Sequence, residues 1–406
     1  MPARRVAVTG LGIICALGHD AAEAWNTLRE GRSAIGLIQS VDSSKLRFQN
    51  GAEVRDYSAA ELFPNGREDH LDRFAQFAVI AAREAIRDAG IALTPELREN
   101  TAIVCGSCVG GQSSQDSGFV DLYQRDRGRV HPLTIPRTMA NAGASHISME
   151  FGLTGPAYTV STACSSSNHA IGQAFQMVRS GAAELAVAGG SEAPFSMGLL
   201  KAWEAMRVIS PDTCRPFSKD RHGMILGEGG AILVLERLEA AEARGAKIYG
   251  EIVGFGMSSD AQHLTQPSVQ GPVRAMRAAL CDAGLAPERI GYINAHGTGT
   301  PANDPTETRA IREVFGAHAN RLAVSSTKSM HGHALGAAGA VEAFATLFAL
   351  REGILPPTAN FTEADPECDL DYIPNRPRPA RVECALSNSF AFGGLNAVLA
   401  FRAFAR

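Results

Sequence analysis

Short apolar runs alternate with segments of helical periodicity along the whole chain. The apolar runs lie at 4–10, 101–107, 157–163 and 185–192, and the clearest helical segments at 20–31, 71–90 and directly after Cys164. The apolar runs have the length of buried strands, and the helical segments carry one apolar face. This alternation predicts an α/β fold in which helices cover a buried sheet.

One segment of the first half resembles a segment of the second. Residues 85–106 (AIRDAGIALTPELRENTAIVCG) and 279–297 (ALCDAGLAPERIGYINAHG) both read as a helix ending in Asp-Ala-Gly, a Pro-Glu turn and a strand ending near glycine. The similarity suggests two related halves. We place the first at 1–246 and the second at 247–406, because a helical segment ends near Gly245.

The composition restricts the class of protein. The chain has 406 residues, 45% hydrophobic and 20% charged, with a formal net charge of -4, so no overall positive field favours nucleic acid or an anionic membrane. No apolar run approaches ~18 residues, and we expect no membrane span. The 8 cysteines are scattered through a long chain, which predicts a reducing, cytoplasmic setting.

Cys164 lies where an apolar run gives way to a helical segment. Unpaired N–H groups and the positive end of the dipole at a helix N-terminus favour a thiolate, and the same groups could donate to an oxyanion. The alternative is a small hydrophobic residue buried in a core. The position of Cys164 alone leaves both interpretations open.

Two segments carry candidate acid–base groups. His296 ends an apolar strand before a glycine-rich turn, and Lys328, His331 and His333 lie between another strand and a helix rich in glycine and alanine. Either segment could instead hold hydrogen-bonded core histidines. One glycine separates the last two histidines and no third ligand is close, so we expect no metal.

Two further segments have structural explanations of their own. Asp304, Pro305 and Glu307 fit a helix start with an N-cap, an N1 proline and a capping-box acid. The turn 392–394 (Phe-Gly-Gly) separates two strands. It could be a plain hairpin, or it could present a backbone N–H beside a nucleophile.

Several separated motifs together resemble one known family. They are STACSSSNHA around Cys164, NAHGTGT around His296, STKSMHGHALGAAGA with Lys328 and His333, and SNSFAFGGLN with Phe392. Their order and spacing across essentially the whole chain resemble the β-ketoacyl-acyl carrier protein synthases of the elongating class. The sequence of residues 200–218 is most similar to the nodulation E-type branch, which makes unusual acyl chains.

The resemblance implies a fold and an activity. The fold would be the thiolase fold, with two similar halves in a five-layer α-β-α-β-α sandwich, usually as a homodimer. The activity would be a decarboxylative Claisen condensation of malonyl-carrier protein with an enzyme-bound acyl chain, without a cofactor. The substrate partner would be the acyl carrier protein.

The resemblance also implies residue roles. Cys164 would carry the acyl group as a thioester, and the backbone N–H groups of Cys164 and Phe392 would hold the oxyanion. His296 and His333, as neutral imidazoles, would donate to the developing enolate, and Lys328 would organise His333. The supporting residues would be Glu342, Glu307 and Asn388.

Substrate contacts are implied as well. The residues concerned are Thr298, Thr300, Val109, Asp260, His263 and Gly393. The two threonines would bind the pantetheine arm, Phe392 would act as a gate facing the loop of Asp260 and His263, and Val109 would begin the acyl tunnel. A local basic face for the acidic carrier protein would draw on Arg67, Arg73, Arg125, Arg127, Arg129 and Arg207.

Five residues depart from the usual family pattern. His331 stands where threonine, isoleucine or phenylalanine is common, and His222 and Met224 replace an acid and an aromatic residue. Ala391 and Leu395 replace glycine and threonine beside the gate. None removes a catalytic group, so the departures concern chain-length preference and gate mobility.

Two other functions remain as alternatives. A noncatalytic relative that serves as a chain-length partner would share the fold, but such relatives typically lack the nucleophile. A Cys-His acyl hydrolase would leave the second histidine and Lys328 without a role.

Overall fold

The computed structural model describes residues 4–404. Its strands are β1 (Val6–Cys15), β2 (Gly36–Leu37), β3 (Asn50–Gly51), β4 (Thr101–Gly106), β5 (Ala157–Val160), β6 (Leu185–Glu192), β7 (Gly229–Arg237), β8 (Gly250–Ser259), β9 (Ile290–Asn294), β10 (Ala323–Ser325), β11 (Ile354–Leu355), β12 (Arg378–Pro379), β13 (Cys384–Ala391) and β14 (Leu395–Arg402). Its α-helices are α1 (Ala21–Arg29), α2 (Ala59–Leu62), α3 (Arg73–Ala89), α4 (Pro95–Glu99), α5 (Gln112–Tyr123), α6 (Thr134–Thr138), α7 (Ala142–Phe151), α8 (Ser166–Ser180), α9 (Met197–Met206), α10 (Leu238–Ala243), α11 (Gln270–Ala283), α12 (Asn303–Phe315), α13 (Lys328–His331) and α14 (Ala338–Glu352).

Ten strands form one hydrogen-bonded sheet made of two equivalent halves. The sheet order is β10-β9-β13-β14-β8-β1-β7-β6-β4-β5. Numbered within each half, both halves have the order 3-2-4-5-1, and their first strands meet at the centre. There Val6–Val8 of β1 pair with Gly250–Ile252 of β8 in antiparallel register. The two halves therefore repeat one topology.

The similar segments of the two halves occupy equivalent places. In the first half α3 ends before Gly90, α4 begins at Pro95, and β4 follows; in the second α11 ends before Gly284, a 3-10 turn begins at Pro287, and β9 follows. Both glycines adopt the left-handed conformation that ends many helices. The boundary at 246/247 stays a prediction, and it falls between α10 and β8.

Helices α8 and α14 lie between the two half-sheets. Helix α14 is buried from Ala338 to Leu350, on all sides, as expected of a helix inside a molecule. Helix α3 packs outside the first half-sheet and α11 outside the second. This gives the layers helix, sheet, helix, sheet, helix. Within residues 4–404, no helix is long and apolar enough to cross a membrane.

Candidate active site

Cys164 lies in a tight turn between β5 and α8. The preceding residue, Ala163, has a φ of 51°, a conformation that is uncommon for a residue with a side chain. Helix α8 begins two residues after the cysteine, at Ser166. The turn thus brings Cys164, which is only 7% exposed, to the N-terminal end of a central helix.

The Cys164 thiol is protonated in the substrate-free protein. Burial raises its pKa to about 11, although Lys328 and hydrogen bonds from the backbone N–H groups of Phe392 and Cys164 act in the opposite direction. The expectation that the helix end would favour the thiolate does not hold for the free protein, because desolvation outweighs the effect of Lys328 and of the two backbone donors. The same two N–H groups are those predicted to form the oxyanion hole.

Phe392 lies in a turn that is also a hairpin. Strands β13 and β14 pair up to Ala391 and Leu395, and a 3-10 turn at Phe392–Gly394 joins them. Both interpretations of this segment therefore apply, since a hairpin turn places the Phe392 N–H beside the Cys164 sulfur.

His296 and His333 face each other in the buried centre of the molecule. Their ring centroids are 5.4 Å apart at an interplanar angle of 84°. Burial, with a contribution from Lys328, lowers the pKa of both imidazoles well below the usual value, so both are neutral near pH 7. Neither ring nitrogen of His333 has a hydrogen-bond partner among residues 4–404.

Lys328 contacts His296 rather than His333. Its Nζ donates to the backbone oxygen of His296 at 2.6 Å and lies 3.4 Å from the ring Nδ1, and it pairs with Glu342. Among the described residues, Lys328 makes no hydrogen bond to the His333 ring. The predicted role of organising His333 is therefore wrong. Because Nδ1 accepts from an ammonium group, the neutral His296 ring carries its proton on Nε2.

Glu307 supports the same histidine from the other side. Its carboxylate accepts the backbone N–H groups of His296 and Gly297, both at 2.8 Å, and the side-chain amide of Asn388 at 3.2 Å. Two of the predicted supporting residues, Glu307 and Asn388, are thus joined by a hydrogen bond. The third, Glu342, supports Lys328.

The predicted capping box at the start of α12 is wrong. The helix begins at Asn303 with Ala302 at the cap. The Asp304 carboxylate accepts the N–H groups of Phe217 at 2.7 Å and Gly299 at 3.2 Å. The acids hold neighbouring loops in place, because tertiary contacts compete with the local cap.

One cavity of about 320 Å³ reaches from the surface to the thiol. The predicted site residues that line it are Cys164, His296, His333, Thr298, Thr300, Asp260, His263, Phe392 and Glu307. The two threonine hydroxyls are 2.9 Å apart. Val109 and Gly393, also predicted to contact substrate, do not line this cavity.

Gly393 and Val109 have structural partners instead. The N–H of Gly393 donates to the backbone oxygen of Leu264 at 2.7 Å, so it ties the turn at 392–394 to the loop of Asp260 and His263. The N–H of Val109 donates to Glu192 at 3.2 Å. Gly393 thus adjoins the cavity through Leu264, which lines it, whereas the partner of Val109, Glu192, does not line it.

Two residues at the site were missed in the sequence. Trp203 of α9 lines the cavity and stacks on Phe392, with ring centroids 6.1 Å apart and an interplanar angle of 28°. Glu192, fully buried at the end of β6, accepts hydrogen bonds from Cys108, Val109 and Gly336; burial raises its pKa to about 7. A charged residue closing the apolar run 185–192 was a readable signal for Glu192.

No group of three or more His, Cys, Asp or Glu side chains within residues 4–404 could hold a metal ion. The chemistry available at the site is that of a thiol, two backbone donors, two neutral imidazoles and a buried lysine.

Known proteins match the chain over its whole length. Residues 3–241 match the family model for the N-terminal domain of beta-ketoacyl synthase, and residues 249–362 match the model for its C-terminal domain. Nodulation protein E of Rhizobium sp. (strain N33) is 49% identical over 399 residues, covering 98% of this chain and 99% of that protein. The 3-oxoacyl-(acyl-carrier-protein) synthase 2 of Synechocystis sp. is 44% identical over 407 residues, covering 98% of each.

Solved structures agree with the fold. A beta-ketoacyl synthase from Burkholderia phymatum STM815 superposes with a TM-score of 0.92 at 36% identity, covering 99% of this chain and 100% of that one. The ishigamide ketosynthase/chain length factor gives a TM-score of 0.94 at 38% identity with the same coverage. The predicted thiolase fold is confirmed. With these matches and the convergent thiol, imidazoles and backbone donors, the chain belongs to the β-ketoacyl synthase family.

Proposed function

We propose that the chain condenses malonyl-acyl carrier protein with an acyl group carried on Cys164, extending the acyl chain by two carbons. The observation that carries the proposal is convergence on one cavity: a thiol beside two backbone N–H donors, opposite two neutral histidines. The matching 3-oxoacyl synthases support the reaction type.

The first half-reaction loads the enzyme. The Cys164 sulfur attacks the thioester carbonyl of the acyl-carrier protein, the C–S bond to the carrier breaks, and the carrier leaves as a thiol with the proton from Cys164. The N–H groups of Cys164 and Phe392, which already contact the sulfur, are placed to stabilise the tetrahedral oxyanion.

The second half-reaction extends the chain. Malonyl-carrier protein loses carbon dioxide, and the electron pair of the broken C–C bond forms an enolate. The Nε2–H of His296, fixed by Lys328 at Nδ1, and the ring of His333 donate to the enolate oxygen. The carbanion attacks the Cys164 thioester, the C–S bond breaks, and the cysteine sulfur takes up a proton.

Carrier-protein docking is proposed at the cavity mouth around Arg207. Of the six candidate arginines, Arg207 lines the cavity. Arg73 is tied to the buried Glu228, and Arg67 pairs with Glu150. Both Arg125 and Arg127 pair with Asp121. Among the described residues, neither Arg207 nor Arg129 has an ion-pair partner, and only Arg207 of these two lines the cavity. Arg207 is therefore best suited to an acidic partner.

A homodimer is proposed through the exposed edge of β5. The sheet ends at this strand, and Tyr158 on it is 37% exposed. Exposed Met149 and Ile135 lie on the adjoining α7 and α6. An open strand edge beside apolar side chains favours pairing with a second chain. A cytoplasmic location stays a prediction.

The test is intact-mass spectrometry of the protein mixed with acyl-carrier proteins of increasing chain length. We expect the acyl mass on wild type and none on Cys164→Ala. Addition of malonyl-carrier protein should then release a product two carbons longer. Failure to acylate at every length would overturn the assignment of Cys164 and leave the noncatalytic chain-length partner.

A further inference from the structure

Glu192 is a buried acid to which the two half-reactions assign no role. It ends β6, beside the end of the parallel strand β4, and none of its surface is exposed. All four groups that donate to its carboxylate are neutral, so no cation among residues 4–404 contacts it. A buried carboxylate without an ionic partner costs free energy, so Glu192 is a candidate for a role in the reaction.

The two carboxylate oxygens of Glu192 join segments that are far apart in the sequence. The Oε2 atom accepts the backbone N–H of Cys108 at 2.6 Å and that of Gly336 at 3.0 Å. The Oε1 atom accepts the Ser107 hydroxyl at 3.0 Å and the Val109 N–H at 3.2 Å. The carboxylate therefore fixes the loop after β4 to the 3-10 turn before α14.

This 3-10 turn contains a residue in an uncommon conformation. Leu335 has a φ of 45°, a left-handed position that strains a residue with a side chain. The next residue, Gly336, is held on both sides, because its N–H donates to Glu192 and its carbonyl accepts the Ser167 hydroxyl. Ser167 lies in the first turn of α8, three residues after Cys164. The surrounding contacts thus hold the turn against the helix of the nucleophile.

The His333 ring depends on the backbone around it for its position. Neither ring nitrogen has a hydrogen-bond partner among residues 4–404. The His333 N–H donates to the backbone oxygen of Ile225 at 2.6 Å, and its carbonyl accepts the Gly227 N–H at 3.0 Å. These bonds hold His333 itself, and the bond from Gly336 to Glu192 holds the chain three residues later.

We propose that Glu192 is a positioning residue that keeps the His333 ring where it donates to the enolate formed on decarboxylation. The proposal rests on the proposed function, because only the second half-reaction uses this ring. Loading of Cys164 uses the sulfur and two backbone N–H donors that Glu192 does not contact. A change at Glu192 should therefore slow condensation and spare acylation.

The charge of Glu192 makes this difference between the two steps sharper. Burial is the main cause of the raised pKa of the Cys164 thiol, and the Glu192 carboxylate adds to it. Glu192→Gln removes the charge and keeps the size of the side chain, so it should not slow acylation. General damage to the fold would slow both steps, which distinguishes a positioning role from a structural one.

The test measures the two half-reactions separately in wild type, Glu192→Asp and Glu192→Gln. Acylation by an acyl-carrier protein is followed by intact mass, and malonyl-carrier protein is then added to the acyl-enzyme for a single turnover. The ratio of condensation rate to acylation rate should fall about tenfold in Glu192→Asp, whose shorter side chain loses the hydrogen bond to Gly336. It should fall by less in Glu192→Gln, which keeps one acceptor oxygen.

The matched control is Glu84→Gln. The Glu84 carboxylate accepts the backbone N–H groups of Ile13 at 2.9 Å and Ala21 at 2.8 Å but does not line the cavity, so this variant should keep the wild-type ratio.

The proposal is overturned if the ratio stays at the wild-type value in a Glu192 variant that becomes acylated. It is also overturned if neither variant becomes acylated, because Glu192 would then support the fold as a whole. Absence of acylation in wild type would instead count against the proposed function.

Discussion

Burial is the main influence on the pKa of the Cys164 thiol. With a thiol pKa of about 11, the reactive thiolate is a small fraction at neutral pH and grows as the pH rises towards that value. We expect alkylation of Cys164 by iodoacetamide to accelerate about tenfold per pH unit between about pH 7 and about pH 9. Mass mapping of the modified peptide measures the alkylation rate at each pH.

The exposed Cys281 provides an internal reference in the same sample, and Cys164→Ala identifies the peptide signal. A rate at Cys164 that is already constant near neutral pH would show a thiolate in the free protein and contradict the prediction.

Lys328 and Glu342 form an ion pair in which neither side chain is exposed. Lys328→Met leaves the carboxylate buried without its partner, so we expect the free energy of unfolding to fall by about 3–5 kcal/mol. In the double variant Lys328→Met/Glu342→Leu, most of that loss should be recovered, because no unpaired charge remains. Denaturant titration measures both.

Condensation activity distinguishes a role of Lys328 in positioning His296 from a role in stability alone. The double variant should remain inactive in condensation although it is folded, since no ammonium group fixes the His296 tautomer. A double variant that condenses at the wild-type rate would show that Lys328 has a structural role only.

His331 predicts a pH dependence of stability. Burial, with Lys328 adding to it, lowers its pKa to about 3, below the value of about 6.5 expected when unfolded. Its contribution to stability is therefore complete above about pH 6.5 and is lost as the pH falls, because the unfolded chain binds the proton first. At about pH 5 the loss is about 2 kcal/mol.

The variant His331→Thr, which removes the imidazole, should lose less stability than wild type between about pH 7.5 and about pH 5, by roughly that 2 kcal/mol. Unfolding titrations at the two pH values give the difference. Equal losses in both proteins would mean that His331 is protonated in the folded state.

The sequence predicted which candidate groups meet at one cavity better than it predicted their partners. Cys164, His296 and His333 could be found because each lies in a segment between two elements and carries chemistry that packing does not require. The contact between Lys328 and His296 could not be found, since it depends on how two strand ends meet across the sheet. Trp203 was missed because a tryptophan on an amphipathic helix is an ordinary core residue.

At the scale of elements, a glycine of α14 allows the two central helices, α8 and α14, to pack closely. A Cβ at Gly339 of α14 would lie 2.5 Å from the Asn168 side-chain oxygen and 3.1 Å from the Asn168 backbone nitrogen in α8. Gly339→Ala should therefore push α8 away, lower the free energy of unfolding by about 1–3 kcal/mol, and slow acylation of Cys164 at the start of that helix.

Gly128→Ala is the matched control, because no atom lies within 4 Å of the added Cβ and φ is not positive there. It should leave both stability and acylation unchanged. If Gly339→Ala has the stability and acylation rate of the wild type, the helices can move apart without a loss of free energy, and the prediction is wrong.

Elements with strong local patterns were predicted well. The apolar run 185–192 coincides with β6, and the helix predicted to be rich in glycine and alanine, α14, is buried in the centre of the molecule. The cap at Asp304 failed because the carboxylate accepts the backbone N–H groups of the distant Phe217 and of Gly299 in the preceding turn, and the local sequence pattern does not reveal this competition.

At the scale of the whole molecule, the open edge of β5 predicts association. Tyr158→Lys places a charge on that edge and should shift the protein towards monomer in sedimentation velocity, because charged edges resist strand pairing. Leu37→Lys, at a residue 62% exposed and outside this surface, is the control and should not change the sedimentation coefficient. A wild-type protein that sediments as a monomer at every concentration would contradict the proposed homodimer.

The repeated strand order has an evolutionary consequence. Cys164 follows β5, the third strand of its half, and Lys328 follows β10, the third strand of the other. Equivalent corners of the two halves thus carry the proposed nucleophile in one half and, in the other, the lysine that contacts His296. Duplication of one unit followed by divergence of the copies would account for this arrangement. Neither half alone contains the whole catalytic set.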